Sequence, residues 1–138
     1  MAAAFVLQYL LQVPAQTMAY AVSLGLPMPS PAELTFDLGP GGSPTGIRLG
    51  ALLPVTDLVA AEREFRAIAE PLATAYPSIA SIGPRARAAL VTDMWAQAVA
   101  GGRPVDRESC CFLYALPGCH ECAGCPRLRT PGAGTLDR

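Results

Sequence analysis

The sequence predicts an α+β fold: a small, mostly helical domain with one β-hairpin, followed by a C-terminal cysteine-rich loop. Three observations carry that prediction. Apolar residues recur at helical spacing in three stretches. Between the first two of these, residues 33–51 hold two short runs that alternate polar and apolar around a glycine-rich turn. All five cysteines fall between Cys110 and Cys125, in a segment rich in Gly and Pro that reads as a loop wrapped around something.

A chain of 138 residues is one domain, or one domain with an appendage. Half of it is hydrophobic (51%) and only 15% is charged, which excludes disorder over most of its length. The net charge of −1 excludes a nucleic-acid binder that relies on counterion release. Residues 1–32 carry no charged side chain, yet Gln8, Gln12, Pro14, Gln16 and Thr17 interrupt the apolar run and no basic residue flanks it. A buried core helix is therefore expected, without membrane contact. The first arginine is Arg48, so there is no positive leader of a secretion signal. A reducing, cytoplasmic location is expected, where clustered cysteines serve as metal ligands or redox centres.

In chain order, residues 2–24 form the first helix, with Phe5, Val6, Tyr9, Leu10, Val13, Met18 and Val22 as its apolar positions and Pro14 kinking it or starting a second helix. Three prolines make residues 26–31 an extended connector. Residues 33–38 and 47–51 are the hairpin strands, with Leu34, Phe36, Leu38, Ile47 and Leu49 facing the core. Residues 39–46 between them are a plain turn, since no Lys-Ser/Thr follows to make a phosphate loop. Thr56 or Asp57 caps the second helix, which runs to about Thr74 with Leu58, Ala61, Phe65, Ile68 and Leu72 inward. Glu62, Arg63, Glu64 and Arg66 are its solvated face. Gly83-Pro84 opens the third helix, with Leu90, Met94, Trp95 and Ala98 on its core face, and Gly101-Gly102 ends it. Trp95 is expected as a packing anchor.

The domain organisation expected is a helical domain over 1–105, a metal-binding segment over 106–129 and a disordered tail over 130–138. The cysteine spacing is Cys110-Cys111, ten residues, Cys122, two residues, Cys125. A Cys-x-x-Cys turn brings two sulfurs to one metal. Adjacent cysteines diverge, so Cys110 and Cys111 reach two different atoms of a cluster more easily than they chelate one ion. Four thiolates so arranged suit a [2Fe-2S] cluster, which has two terminal sites on each iron.

This spacing resembles the C-terminal motif of the FhuF-like ferric-siderophore reductases. The residues that carry the resemblance are Ser109-Cys110-Cys111, Tyr114, Leu116-Pro117-Gly118 and Cys122-Ala123-Gly124-Cys125-Pro126. The resemblance implies that Cys110, Cys111, Cys122 and Cys125 ligate a [2Fe-2S] cluster used to reduce siderophore-bound ferric iron. Its partners are then a ferric siderophore and an unidentified electron donor. One electron loosens the complex, because hard oxygen ligands prefer Fe(III) to the softer Fe(II). Arg103, Arg107, Arg127 and Arg129 flank the motif and are candidate docking groups for an anionic chelate or an acidic donor, against a plain reading as solvated loop charges.

Other readings stay open at this point. Cys119-x2-Cys122-x2-Cys125-Pro126 also fits a four-iron ferredoxin run, with Cys110 or Cys111 as the fourth ligand and Cys119 as the extra one. Four thiolates fit structural zinc, although zinc usually takes two separated Cys-x-x-Cys knuckles; a zinc chain is an interaction module. Cys122-x-x-Cys125 has thioredoxin-like spacing but the wrong context, with no strand before it. The chain corresponds to the C-terminal half of the family it resembles, so an electron-transfer subunit without its own siderophore pocket is the rival function. His120, the single histidine, is read as solvent-facing.

Overall fold

The computed structural model describes residues 3–40, 44–77, 82–122 and 124–128. The expected disordered tail and Arg129 lie outside the described residues. Three helices, α1 (Ala3–Ser23), α2 (Leu58–Ala75) and α3 (Pro84–Val99), surround one apolar core, with α1 lying mainly against α3. Four short strands complete an α+β, mostly helical fold: β1 (Met28–Pro29), β2 (Thr35–Leu38), β3 (Pro44–Arg48) and β4 (Leu52–Leu53).

Helix α1 runs unbroken through Pro14 and does not restart there. Its buried residues are Ala4, Leu7, Leu11, Ala15, Met18, Ala19 and Val22. Phe5, Val6, Tyr9, Leu10 and Val13, expected inward, are half-buried. The helix is apolar on nearly every side, so spacing alone does not select the contact face. The buried face mixes large side chains at 7, 11, 18 and 22 with small ones at 4, 15 and 19, and small residues allow close approach of helix axes. Among the described residues no helix is long and apolar enough to cross a membrane.

The strands form two nested antiparallel pairs. β2 pairs with β3, with Phe36 opposite Ile47 and Asp37 opposite Gly46. Outside them β1 pairs with β4, Met28 opposite Leu53. The outer pair was not legible in a proline-rich connector. It closes through Ser30 N–H donating to Ala51 O at 2.8 Å and Ala51 N–H donating to the Glu33 carboxylate at 2.8 Å. Gly50 is required here, because a Cβ would lie 2.2 Å from Glu33 Cβ. The hairpin buries less than its alternation predicts. Leu34 and Phe36 line a cleft with Leu10, Phe65 and Leu72, whereas Ile47 and Leu49 are exposed. β3 also starts at Pro44, earlier than expected. A two-stranded ribbon at the edge of a helical core has one neighbour, not two, so its far strand stays wet.

Asp57 caps α2, its carboxylate accepting from Ala60 N–H at 2.8 Å, an interaction worth about 1 kcal/mol. Ala61, Phe65, Ala69 and Ala73 are the buried face. Leu58, Ile68 and Leu72, expected with them, are each more than a third exposed, because the apolar sector of the helix is wider than its contact. Arg66 bonds Glu62 at 2.7 Å on the polar side. Phe65 stacks on Trp95 of α3, ring centroids 5.4 Å apart, which makes Trp95 the packing anchor between the two helices. Arg87 of α3 donates to the carbonyls of Ala73, Thr74 and Tyr76, tying off the end of α2. α3 buries Leu90, Val91, Met94, Trp95 and one charged residue, Asp93, 4% exposed. That carboxylate faces the segment that follows.

Candidate metal centre

Beyond α3 the described chain has little regular structure: two single 3-10 turns, Leu113–Ala115 and Pro126–Leu128. Polar contacts to the helices fix it instead. Asp93 Oδ1 accepts from Glu108 N–H at 3.2 Å, and Oδ2 accepts from Ser109 N–H at 2.7 Å and from the Ser109 hydroxyl at 2.5 Å. One carboxylate thus holds the two residues that lead into Cys110. Arg107 is 2% exposed. Its Nη2 donates to Gln8 Oε1 on α1 at 2.8 Å and to Ser109 Oγ at 3.2 Å, and its Nε lies 3.9 Å from Asp93 Oδ2. Its Nη1 lies 3.6 Å from Cys122 Sγ, a charge-assisted contact to a sulfur.

All five thiols are free. Cys111 and Cys122 approach to 3.9 Å between sulfurs. Cys110 interacts with Cys125 across the loop. The adjacent cysteines therefore diverge, each meeting one member of the Cys-x-x-Cys turn. A tetrahedral metal with metal–sulfur bonds of about 2.3 Å holds two sulfurs roughly 3.8 Å apart. The Cys111–Cys122 separation suits two thiolates on one metal. Among the described residues no three metal-ligating side chains converge on a single point. The donor set, four soft sulfurs in two crossed pairs, fits a two-metal sulfur-bridged group.

Burial pushes the Cys110 thiol above its ordinary value of 9.0, opposed by the Phe112 N–H and reinforced by Cys125 and Cys111. Burial likewise raises Cys122, with Cys111 adding to it and the Arg107 charge pulling it back.

Two backbone features give the loop its shape. Phe112 adopts a left-handed conformation (φ 57°), costing about 1–3 kcal/mol, and its N–H points at Cys110 Sγ at 3.4 Å. Gly124 has φ +75°, and a Cβ there would lie 2.8 Å from Val105 O. A clasp closes the loop on its outer side. Arg127 Nη1 donates to the Tyr114 hydroxyl at 3.0 Å, its guanidinium lies 4.2 Å from the Tyr114 ring centroid, and its Nε lies 3.8 Å from Glu121. A cleft of about 620 Å³ between the start of α3 and the segment is lined by Arg85, Glu108 and Pro126, the last adjacent to Cys125.

The sequence-predicted residues are thus sorted. Cys111 lies beside Cys122, and Cys110 interacts with Cys125. His120 is exposed, as read. Arg103 and Arg127 are on the surface, Arg103 also donating to Ala100 O at the end of α3. Arg107 is a correction: it is interior, because Gln8, Asp93 and Ser109 supply the acceptors that let a guanidinium be buried. Asp93 and Gln8 were missed. Asp93 is the one acidic residue of α3, a signal that could have pointed to it, whereas Gln8 is one of three glutamines on α1 and nothing in the sequence singles it out.

A family model, the FhuF 2Fe-2S C-terminal domain, matches residues 107–127. The matched stretch begins at Arg107 and contains all five cysteines. The likeness to that family is confined to this segment, and it supports a [2Fe-2S] cluster as the cofactor of the chain. No curated protein matches the chain, and neither does any solved structure.

Proposed function

We propose that Cys110, Cys111, Cys122 and Cys125 hold the [2Fe-2S] cluster and that the chain performs one-electron transfer, with siderophore-bound ferric iron as the acceptor. The observation that carries this is the 3.9 Å approach of the Cys111 and Cys122 sulfurs inside the one stretch that matches a 2Fe-2S domain. The bound group supplies electrons singly. Residues 106–129 are the redox segment, and the helices are its scaffold. Asp93 and Ser109 fix the approach to Cys110, and Phe112 and Gly124 turn the backbone so that the cysteine side chains face each other. The cleft beside Cys125 gives a chelate a seat next to the site, with Arg85, Arg103 and Arg127 as cationic groups on the surface around the segment and at the end of α3. Substrate Fe(III) accepts one electron and leaves its oxygen ligands as Fe(II). A reducing compartment such as the cytoplasm suits free thiols.

The test is a stopped assay with ferric hydroxamate and catecholate chelates, a chemical one-electron donor and a ferrous-specific indicator. Ferrous release that depends on all four cysteines, and slows with salt and with R103E/R127E, is expected. A cluster-loaded protein that passes electrons to a protein acceptor but to no ferric chelate overturns the siderophore reading.

A further inference from the structure

Arg107 invites a closer look because burying a permanent charge costs several kcal/mol unless it is well paired. Its fork is anchored from two helices, by Gln8 of α1 and Asp93 of α3. Both Asp93 oxygens already accept from the backbone of Glu108 and Ser109, and the ion pair stands at 3.9 Å, not closed into a bidentate contact. Arg107 Nη1 lies 3.6 Å from Cys122 Sγ. A positive donor beside a sulfur ligand favours whichever state of the site carries more negative charge, and that is the reduced state. Hydrogen bonds to sulfur and local charge are among the terms that set iron–sulfur potentials. Arg107 is itself buried, so its charge is screened less than a surface charge.

We infer that Arg107 tunes the metal site: held in line by Gln8, it donates to the Cys122 sulfur and raises the reduction potential of the group these cysteines bind. The inference rests on the proposed ligation by Cys122.

The experiment uses the full chain: wild type, R107K, R107Q and Q8E, each analysed for iron and sulfide and then titrated with redox dyes while absorption and EPR are followed. With two irons retained, R107Q is expected to shift the reduction equilibrium about tenfold toward the oxidised form, which is 59 mV for one electron. R107K keeps the charge and recovers most of that shift. Q8E leaves Arg107 in place but sets a carboxylate against it, and shifts the equilibrium the same way by a smaller factor. A potential equal to wild type in iron-loaded R107Q would make Arg107 only a structural anchor. If R107Q does not fold, an unchanged potential in iron-loaded Q8E overturns the inference equally. A wild-type protein without iron and sulfide is a separate failure, that of the ligand reading itself.

Discussion

The helical core and the cysteine segment are built by different physics. The core is apolar, regular and redundant: three helices share a buried set that includes Leu7, Leu11, Phe65, Met94 and Trp95, and no single contact defines it. The segment has almost no regular structure and is fixed by a few polar contacts through Asp93, Arg107 and Ser109. A redundant core relaxes around a substitution. A segment held by single hydrogen bonds does not, so chemistry concentrates where tolerance is least.

Four outcomes sharpen that contrast. The largest is loss of the site: serine at Cys110, Cys111, Cys122 or Cys125 should each abolish two-iron stoichiometry and the visible spectrum, while C119S leaves both intact. A bleached C119S protein would instead favour the four-iron ligation. Next, D93A leaves the buried Arg107 without its carboxylate and three donors without an acceptor. A loss of about 3–5 kcal/mol is expected in urea unfolding, together with loss of iron, whereas F65A, with a similar cost of about 3–5 kcal/mol, should spare iron per folded chain. Equal iron loss in both would erase the distinction between the two regions.

A smaller effect is expected of G124A. Its positive φ and the approach of Val105 O should cost about 1–3 kcal/mol, read as faster iron release to a chelator with helix content unchanged by circular dichroism. The smallest is pH dependence of the metal-free chain. The folded Cys110 and Cys122 thiols titrate above 9.0, so the folded state holds their protons longer than the unfolded state does. Their contribution to stability is present below pH 9.0 and is lost as pH rises through the folded values. The urea midpoint of the metal-free protein should therefore fall in that range, and C110S/C122S should flatten the fall.

Much of this was legible in sequence wherever one residue type has one use. Thr56 or Asp57 before an apolar periodic run and Pro84 at a first turn each point to a helix start, and α2 and α3 begin there. Legibility failed where the outcome depends on a neighbour far along the chain. The contact face of α1 is chosen by α2 and α3, since the helix carries no charge and is apolar on most sides. The exposure of Ile47 and Leu49 follows from where the hairpin sits. Arg107 looks like its surface neighbours Arg103 and Arg127, and only Gln8 and Asp93, far earlier in the chain, make it interior.

The most direct measurement is iron and acid-labile sulfide per chain in anaerobically purified protein, with EPR after one-electron reduction. Two irons, two sulfides and the spectrum of a reduced two-iron centre are the expected result. A colourless protein holding one zinc per chain would contradict it and leave a structural module in place of a redox protein.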